Sequence, residues 1–386
     1  MHIALGAYLI SGTPGYRQAG VHQYARRLLF GLDALAQQQS DVRLTALISP
    51  TAQREVEGLS VTKLQAAAHS TESPFKRIWV EQVETPSLTQ RLQADLYHGL
   101  LNVLPLRLHC PAVVSVMDLS FITQPQTHKR FNRLYLSIFT RWACHKAQRI
   151  IAISEWTKRD LIQHFGVAAD KIDAIPLGVD PHFKPASAEA IAVLKQQHGM
   201  GDHAIFYLGS LEPRKNLQRL LEAFMLVNAP RSGSMVDSQL IIGGSLGWKY
   251  DAILTQLRQM GMGDRVKLIG RVSEQDLPVW YSACAVFAFP SLYEGFGLPP
   301  LEAMACGAPV VSSNVTSLPE VIGAAGLLVP PIDVAALADA LTRVLQDAGL
   351  RRDMRQRSLQ QAAQFTWPRT AARTLQTYLR CLHKLQ

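Results

Sequence analysis

Short apolar, β-branched runs alternate along the chain with segments whose hydrophobic positions recur at helical spacing. In the first half, Ile3–Leu9, Arg43–Ile48, Leu96–His98, Ala112–Val116 and Arg149–Ala152 predict strands. Val21–Ala36 predicts a helix, and Glu155–Phe165 predicts another, with Ser154 placed to cap its first turn. The alternation begins again near residue 203, with strands predicted at Ala204–Leu208, Gln239–Ile242, Val266–Ile269, Ala285–Ala288, Pro309–Ser312 and Gly326–Val329. Strands separated by helices are the pattern of parallel sheets covered on both faces. The expected fold class is therefore α/β, with two Rossmann-like, doubly wound parallel-sheet domains. The Pro- and Gly-rich stretch Ile175–Pro185 is the expected linker. Ligands bind at strand C-termini in such sheets, so the two domains are expected to face each other across a cleft. Ala52–Lys76 resists the pattern, and its weak periodicity predicts a mobile loop.

A length of 386 residues exceeds what one core usually serves, which agrees with a division into 1–180 and 181–365. Hydrophobic residues at 48% and charged residues at 18% exclude a disordered or fibrous chain. No apolar run is long enough for a transmembrane helix, and the N-terminus reads as a strand, not a signal peptide, so a cytoplasmic location is expected. The five cysteines and twelve histidines are scattered, without metal-ligand spacing, and no bound metal is expected.

The net charge of +9 changes the picture in one place. His128 to Arg149 is a basic stretch with Leu134, Tyr135, Ile138 and Phe139 interleaved at helical spacing. It suits peripheral docking on an anionic membrane, at the inner face; the plainer alternative is a helix with a buried apolar face and a solvated basic one. No nucleic-acid reader motif is present, so nucleic acid is not an expected partner.

Candidate chemistry concentrates in the second half. Phe289 to Gly307 reads as a strand end, a loop containing Glu294, Gly295, Phe296 and Gly297, and a helix whose first turn holds Pro299 and Pro300 and which Gly307 terminates. Small, flexible Gly295 and Gly297 before a helix N-terminus let backbone amides approach a phosphate closely. Glu294 and Glu302 are acceptor-only carboxylates that can hold ligand hydroxyls, although Glu302, read as first-turn, could serve only the helix dipole. After the strand ending at Leu208 come Gly209, Arg214, Lys215 and Asn216, the last read as a helix cap; the two cations can neutralise a diphosphate. In the first half, Gly20 precedes a helix and can bring an amide to a phosphate, while Asp118 follows a strand and either orients a hydroxyl or caps the next turn.

These elements together resemble glycosyltransferase family 4, retaining enzymes of the GT-B fold that include bacterial mannosyl- and glucosyltransferases. The likeness covers nearly the whole chain and rests on Gly20-Val21-x-x-Tyr24, Ile151-Ala152-Ile153-Ser154 with Asp160, Ile175-Pro176-Leu177-Gly178-Val179-Asp180, Gly209 with Arg214-Lys215-Asn216, Gly270-Arg271-Val272, and Glu294 with Glu302. It implies a nucleotide-sugar donor, GDP-mannose first and UDP-sugars next, and a saccharide or lipid-linked acceptor. It also implies retaining transfer without a metal or other cofactor. By the same resemblance, Arg214 and Lys215 bind the donor diphosphate, Glu302 the ribose, Glu294 the transferred sugar, Val272 the base, and Gly297 with Leu298 the phosphate. Gly209, Gly244, Gly295 and Phe296 are further donor-binding positions. Glu294, Arg214, Lys215 and Asp118 are the catalytic candidates. Residues 366–386 are similar to a C-terminal helix that packs back on the first domain, and Ala52–Lys76 falls on the acceptor side. One departure stands out: relatives often carry a histidine before the residue matching Asp118, and here it is Met117. Loss of that donor leaves a catalytically weak nucleotide-sugar binding module as one alternative. A sugar-nucleotide epimerase of the same architecture is the other.

Overall fold

The computed structural model of the protein describes residues 1–12, 20–127, 130–229, 237–245, 247, 250–261 and 263–383. Gln18 and Ala19, which precede Gly20, and His128 and Lys129, which open the basic stretch, lie outside them. The chain forms two compact units, Met1–Gly178 with Thr366–Gln386, and Val179–Phe365.

The first unit is built on seven parallel strands: β1 (His2–Gly6), β2 (Arg43–Ile48), β3 (Lys63–Ala66), β4 (Leu96–Gly99), β5 (Ala112–Val116), β6 (Arg149–Ala152) and β7 (Ile172–Ala174), in the order β3-β2-β1-β4-β5-β6-β7. Ile3 of β1 is registered with Leu44 on one side and Leu96 on the other. Central strands such as β1 and β5 are buried along their whole length, which is why they read as unbroken apolar runs. The sequence reading missed β3 and β7. Edge strand β3 exposes Lys63 and Leu64 and lies within the segment expected to be a loop, while β7 is three residues long and runs straight into the proline-rich stretch.

Ser154 does open the helix Glu155–Phe165, its hydroxyl accepting from the Thr157 amide, and Gly166 in the left-handed region ends it. The helix Trp367–His383 belongs to this unit and packs on the helix Gly20–Ala36, with the Trp367 ring 6.4 Å from Tyr24. A side chain on Gly178 would overlap the Trp367 backbone, so the returning segment demands glycine there. Beneath the same helix runs a buried chain of polar groups. Tyr378 Oη lies 2.6 Å from His98 Nδ1, His98 Nε2 lies 2.8 Å from Ser115 Oγ, and Ser115 is 2.6 Å from Tyr24 Oη. Burial drives the His98 pKa down to about 3, so the imidazole is neutral and can donate through one nitrogen while accepting through the other.

The second unit has six parallel strands: β8 (Ala204–Leu208), β9 (Gln239–Gly243), β10 (Val266–Gly270), β11 (Val286–Phe289), β12 (Val310–Ser313) and β13 (Leu327–Val329), in the order β10-β9-β8-β11-β12-β13. Ile205 of β8 sits between Leu240 and Val286, and the helices Leu217–Val227 and Val334–Gln346 cover this face with Leu220, Phe224, Leu341 and Val344. Connections leaving β8 and β11 go opposite ways, to β9 and to β12. Divergent connections leave a crevice at the strand C-termini, the place where open parallel sheets bind ligands. Among the described residues no helix is long and apolar enough to cross a membrane.

Candidate active site

The loops after β8 and β11 meet at this crevice. Three strand ends are first tied together. The Gly209 amide donates to Gly243 O (3.1 Å) and the Gly244 amide to Gly270 O (2.7 Å). Gly244 has φ 136°, and any side chain there would overlap the Gly209 carbonyl, so both backbone shape and packing require glycine. Val272, half-buried after β10, closes against Gly243. A Cβ on Gly209 would lie 3.7 Å from Lys215 Cδ, which joins this backbone knot to the cationic loop.

Asn216 fastens that loop, though not as a helix cap. Its φ of 61° is left-handed, whereas a capping residue is extended, and its side-chain oxygen accepts from the Arg219 guanidinium (2.8 Å), not from a first-turn backbone amide of Leu217–Val227. The Asn216 amide instead donates to Pro290 O (2.9 Å) after β11 and Pro331 O (2.7 Å) after β13, two largely buried bonds worth about 1 kcal/mol each.

Glu294 is the electrostatic centre. One carboxylate oxygen takes Lys215 Nζ at 2.7 Å, Arg214 Nη1 at 3.2 Å and the Ser291 hydroxyl at 2.6 Å. Burial alone would raise its pKa, but the charges of Lys215 and Arg214 with these hydrogen bonds outweigh burial and hold it below the usual carboxylate range. Arg214 also donates through Nε and Nη2 to Glu212 Oε1 (3.1 and 2.8 Å) and through Nη1 to Tyr293 O (2.7 Å). The Lys215 ammonium stands 5.0 Å above the Phe289 ring. Two cations are thus matched here by two carboxylates.

The loop over residues 294–297 hangs from Ser317, whose hydroxyl reaches both Glu294 O (2.9 Å) and Phe296 O (2.7 Å). Gly297, at φ 112°, turns the chain into the helix Leu298–Ala305. The N-cap and the first three residues of a helix have no helical acceptor for their amides; here two of those four positions are proline and the first helical bond is Leu301 N to Gly297 O, which leaves the Gly297 and Leu298 amides without a helical partner where the loop enters the helix. Glu302 is the fifth helical residue, not a first-turn one, because the helix starts at Leu298. Tyr281 donates to its Oε2 at 3.1 Å, and Tyr281 is itself set by edge-on packing against Phe287 of β11. Burial, against the Tyr281 hydrogen bond, pushes the Glu302 carboxyl up to about 7.

Gly20 and Asp118 lie in the first unit. Gly20 begins its helix exposed, with nothing within 4 Å of a would-be Cβ. Asp118 Oδ1 accepts from the Ser120 amide at 2.9 Å, the turn-capping alternative. Met117 is buried, its amide donating to Asn102 Oδ1 (3.1 Å) and its carbonyl accepting from Thr157 Oγ1 (3.3 Å).

The family model "Glycosyl transferases group 1" matches residues 192–361, and "Glycosyltransferase Family 4" matches residues 19–183. O-antigen chain mannosyltransferase B of Escherichia coli is 38% identical over 285 residues, 73% of this chain and 74% of that protein. The chain belongs to the group 1, family 4 glycosyltransferases.

This glycosyltransferase is also 34% identical over 262 residues to the serotype-specific mannosyltransferase WbdA of Escherichia coli, a match spanning 66% of this chain and 31% of that longer protein. Its two α/β units have the GT-B fold: sucrose-phosphate synthase from Thermosynechococcus elongatus superposes with a TM-score of 0.77 at 23% identity, covering 99% of each chain. Several side chains that shape the crevice were not named by the sequence reading. Glu212 adjoins the Arg-Lys pair and was within reach of a local argument. Tyr281 and Ser317 meet Glu302 and the 294–297 loop only through space, and no short-range signal marks them. Among the described residues no group of three or more His, Cys, Asp or Glu side chains is arranged to hold a metal ion.

Proposed function

We propose that this glycosyltransferase moves a mannosyl group, with retention at C1, from a nucleoside diphosphate mannose, GDP-mannose in the first instance, to a hydroxyl of a free or lipid-linked saccharide. The observation that carries the reading is the meeting of Arg214 and Lys215 with Glu294 at the β8/β11 crevice, on the loop that leads into the helix Leu298–Ala305. Similarity to proteins named mannosyltransferases supports the choice of sugar.

In this reading the diphosphate lies between the two cations and the amides of Gly297 and Leu298, with Gly209 and Gly244 keeping the floor free of side chains. Glu294 accepts from sugar hydroxyls, Glu302 from the ribose, and the backbone at Val272 faces the base. The bond from sugar C1 to the phosphate oxygen breaks with its electron pair on the diphosphate, where Arg214 and Lys215 stabilise the developing charge. Each donor so placed contributes roughly 2.7–4 kcal/mol to lowering the barrier. The acceptor oxygen forms its bond to C1 on the same face and gives its proton to the departing phosphate. No covalent sugar–enzyme species and no metal ion take part, because the side chains supply the positive charge.

Thermal-shift titration with GDP-mannose, UDP-glucose and ADP-glucose tests the donor, since a ligand binding only the folded protein raises its stability. The largest shift is expected with GDP-mannose, and NMR of the product is expected to show an axial anomeric bond, unaffected by chelator. Unchanged donor affinity after Arg214→Ala with Lys215→Ala would remove the basis of the assignment.

A further inference from the structure

Two neighbouring elements of the first unit carry large apolar side chains where a solvated helix carries polar ones. The helix Arg130–Lys146 buries Thr140, Ala143 and Cys144 and presents Phe131 (64% exposed), Leu134 (60%) and Ile138 (56%) on the opposite side, at the i, i+3, i+7 spacing of one face. Tyr135 and Phe139, grouped with them by the sequence pattern, instead pack on each other, 4.5 Å apart and half-buried. Arg149, also counted in the basic stretch, is buried in an ion pair with Asp173 (2.6 Å). Arg130 and Arg141 lie beside the outward face, Arg133 is exposed farther round the helix, and the helix contains no acidic residue.

The second element is the helix Pro74–Trp79, which continues as a π-turn over Val80–Glu84. Phe75 (75% exposed), Trp79 (55%) and Val83 follow one another at every fourth position along it. Its acids turn inward: Glu84 accepts from the Ala68 amide and pairs with His69, while Glu81 pairs with Arg77 at 3.7 Å. Burial pushes the Glu81 carboxyl up to about 7, which reduces its negative charge further, and Lys76 stays exposed. The two elements adjoin, since the Tyr135 hydroxyl feels the charges of Glu81 and Arg77.

Isolated exposed apolar residues are ordinary, but all the exposed Phe and Trp side chains among the described residues gather on these two elements. Aromatic rings beside arginine and lysine, with the acids withdrawn, match the headgroup region of a bilayer. There, rings sit at the interface while cations reach lipid phosphates. A net charge of +9 agrees in sign. We propose that this side of the first unit docks the enzyme on an anionic lipid bilayer, with Phe75, Trp79 and Phe131 at headgroup level and Arg130, Arg133 and Arg141 on lipid phosphates. The inference stands apart from the donor reading, which concerns the second unit.

Co-sedimentation of the full chain with phosphatidylcholine vesicles, with and without phosphatidylglycerol, tests it. Binding is expected only with the anionic lipid and is expected to weaken as salt is raised. Arg130→Gln, Arg133→Gln and Arg141→Gln together are expected to lower the partition coefficient on the order of 100-fold, at about one kcal/mol per cation. Phe75→Ser with Trp79→Ser is expected to abolish what remains, while the thermal shift by donor nucleotide persists in both variants and reports an intact fold. Equal binding to both vesicle types, or anionic binding untouched by either variant, overturns the proposal. So does a concentration-dependent dimer, broken by Phe131→Ser with Leu134→Ser, in place of vesicle binding.

Discussion

On the proposed reading, Glu302 makes donor binding a titration. Burial holds its carboxyl near pH 7, with Tyr281 bonding to one oxygen and the charges of Glu274 and Asp180 adding to the upward push. A ribose diol presents two hydroxyl donors, and only the ionised carboxylate accepts both without a proton of its own in the way. If the ionised form is the binding form, the apparent Kd scales as one plus the ratio of protonated to ionised Glu302. For a pKa of about 7 the Kd rises about tenfold from pH 8 to pH 6, and binding at pH 7 releases about half a proton. The stability term has the opposite sense. A raised folded-state pKa contributes stability that is full below the ordinary glutamate value and is lost as pH rises through about 7, so donor should stabilise the protein more at pH 8 than at pH 6. Calorimetric titration with intact nucleotide sugar is the assay, because its diphosphate diester has no ionisation in this range. Glu302→Gln is expected to bind about 10- to 100-fold more weakly at pH 8, the worth of a charged hydrogen bond, and to show a flat profile. A wild-type Kd constant within twofold over this range, or the same slope in Glu302→Gln, would refute the reasoning.

Three further outcomes follow from the same contacts. Lys215→Met strands the buried Glu294 with Arg214 and Ser291 alone, and calorimetry is expected to show a loss of about 3 kcal/mol that Glu294→Gln partly restores. Because the Glu294 pKa is depressed, that loss should shrink as pH falls below the ordinary glutamate value; independent, additive effects of the two substitutions would contradict a coupled pair. Gly244→Ala forces a side chain onto the Gly209 carbonyl at φ 136° and is expected to cost at least about 1–3 kcal/mol in denaturant unfolding and to weaken donor binding, whereas a neutral result would mean the strand ends are not tied as described. Tyr378→Phe removes one of the two partners of the buried His98 and is expected to destabilise the first unit by about 1–3 kcal/mol while donor affinity holds; a fall in affinity would show the two effects to be linked.

The residues legible in advance are those whose environment repeats along the chain. β5, β6 and β8 were placed to the residue because strands buried on both faces leave continuous apolar runs between breakers. β3 exposes half its length and β7 is shorter than any reliable period, so neither leaves such a trace. Arg214, Lys215 and Glu294 were readable because glycine and proline mark the strand ends that carry them. Their mutual pairing was not, since it depends on the β8–β11 adjacency that only the sheet order supplies. Asn216 was misread for a related reason: an asparagine before a helix suggests a cap, and its left-handed backbone becomes visible only when the loops after β11 and β13 close around it. Basic and apolar periodicity marked the helix Arg130–Lys146, but the stripe on Pro74–Glu84 fell in a segment too irregular to show a period.

The pairing of Arg214 and Lys215 with carboxylates bears on what the crevice can admit. A lysine buried as deeply as Lys215 would lose its charge without a counterion, and Glu294, at 2.7 Å, supplies one that favours the ammonium form. On the proposed reading, an incoming diphosphate takes over that role and frees Glu294 to accept from the hydroxyls of the attached sugar. A free sugar brings no charge to exchange for the carboxylate, and a free diphosphate brings no hydroxyls for Glu294 to turn to. On that reading only a ligand carrying both, a few bonds apart, satisfies Arg214, Lys215 and Glu294 at once, and because an unpaired buried charge is the costliest defect such a site can hold, the cluster would select for the intact donor before any contact with the base.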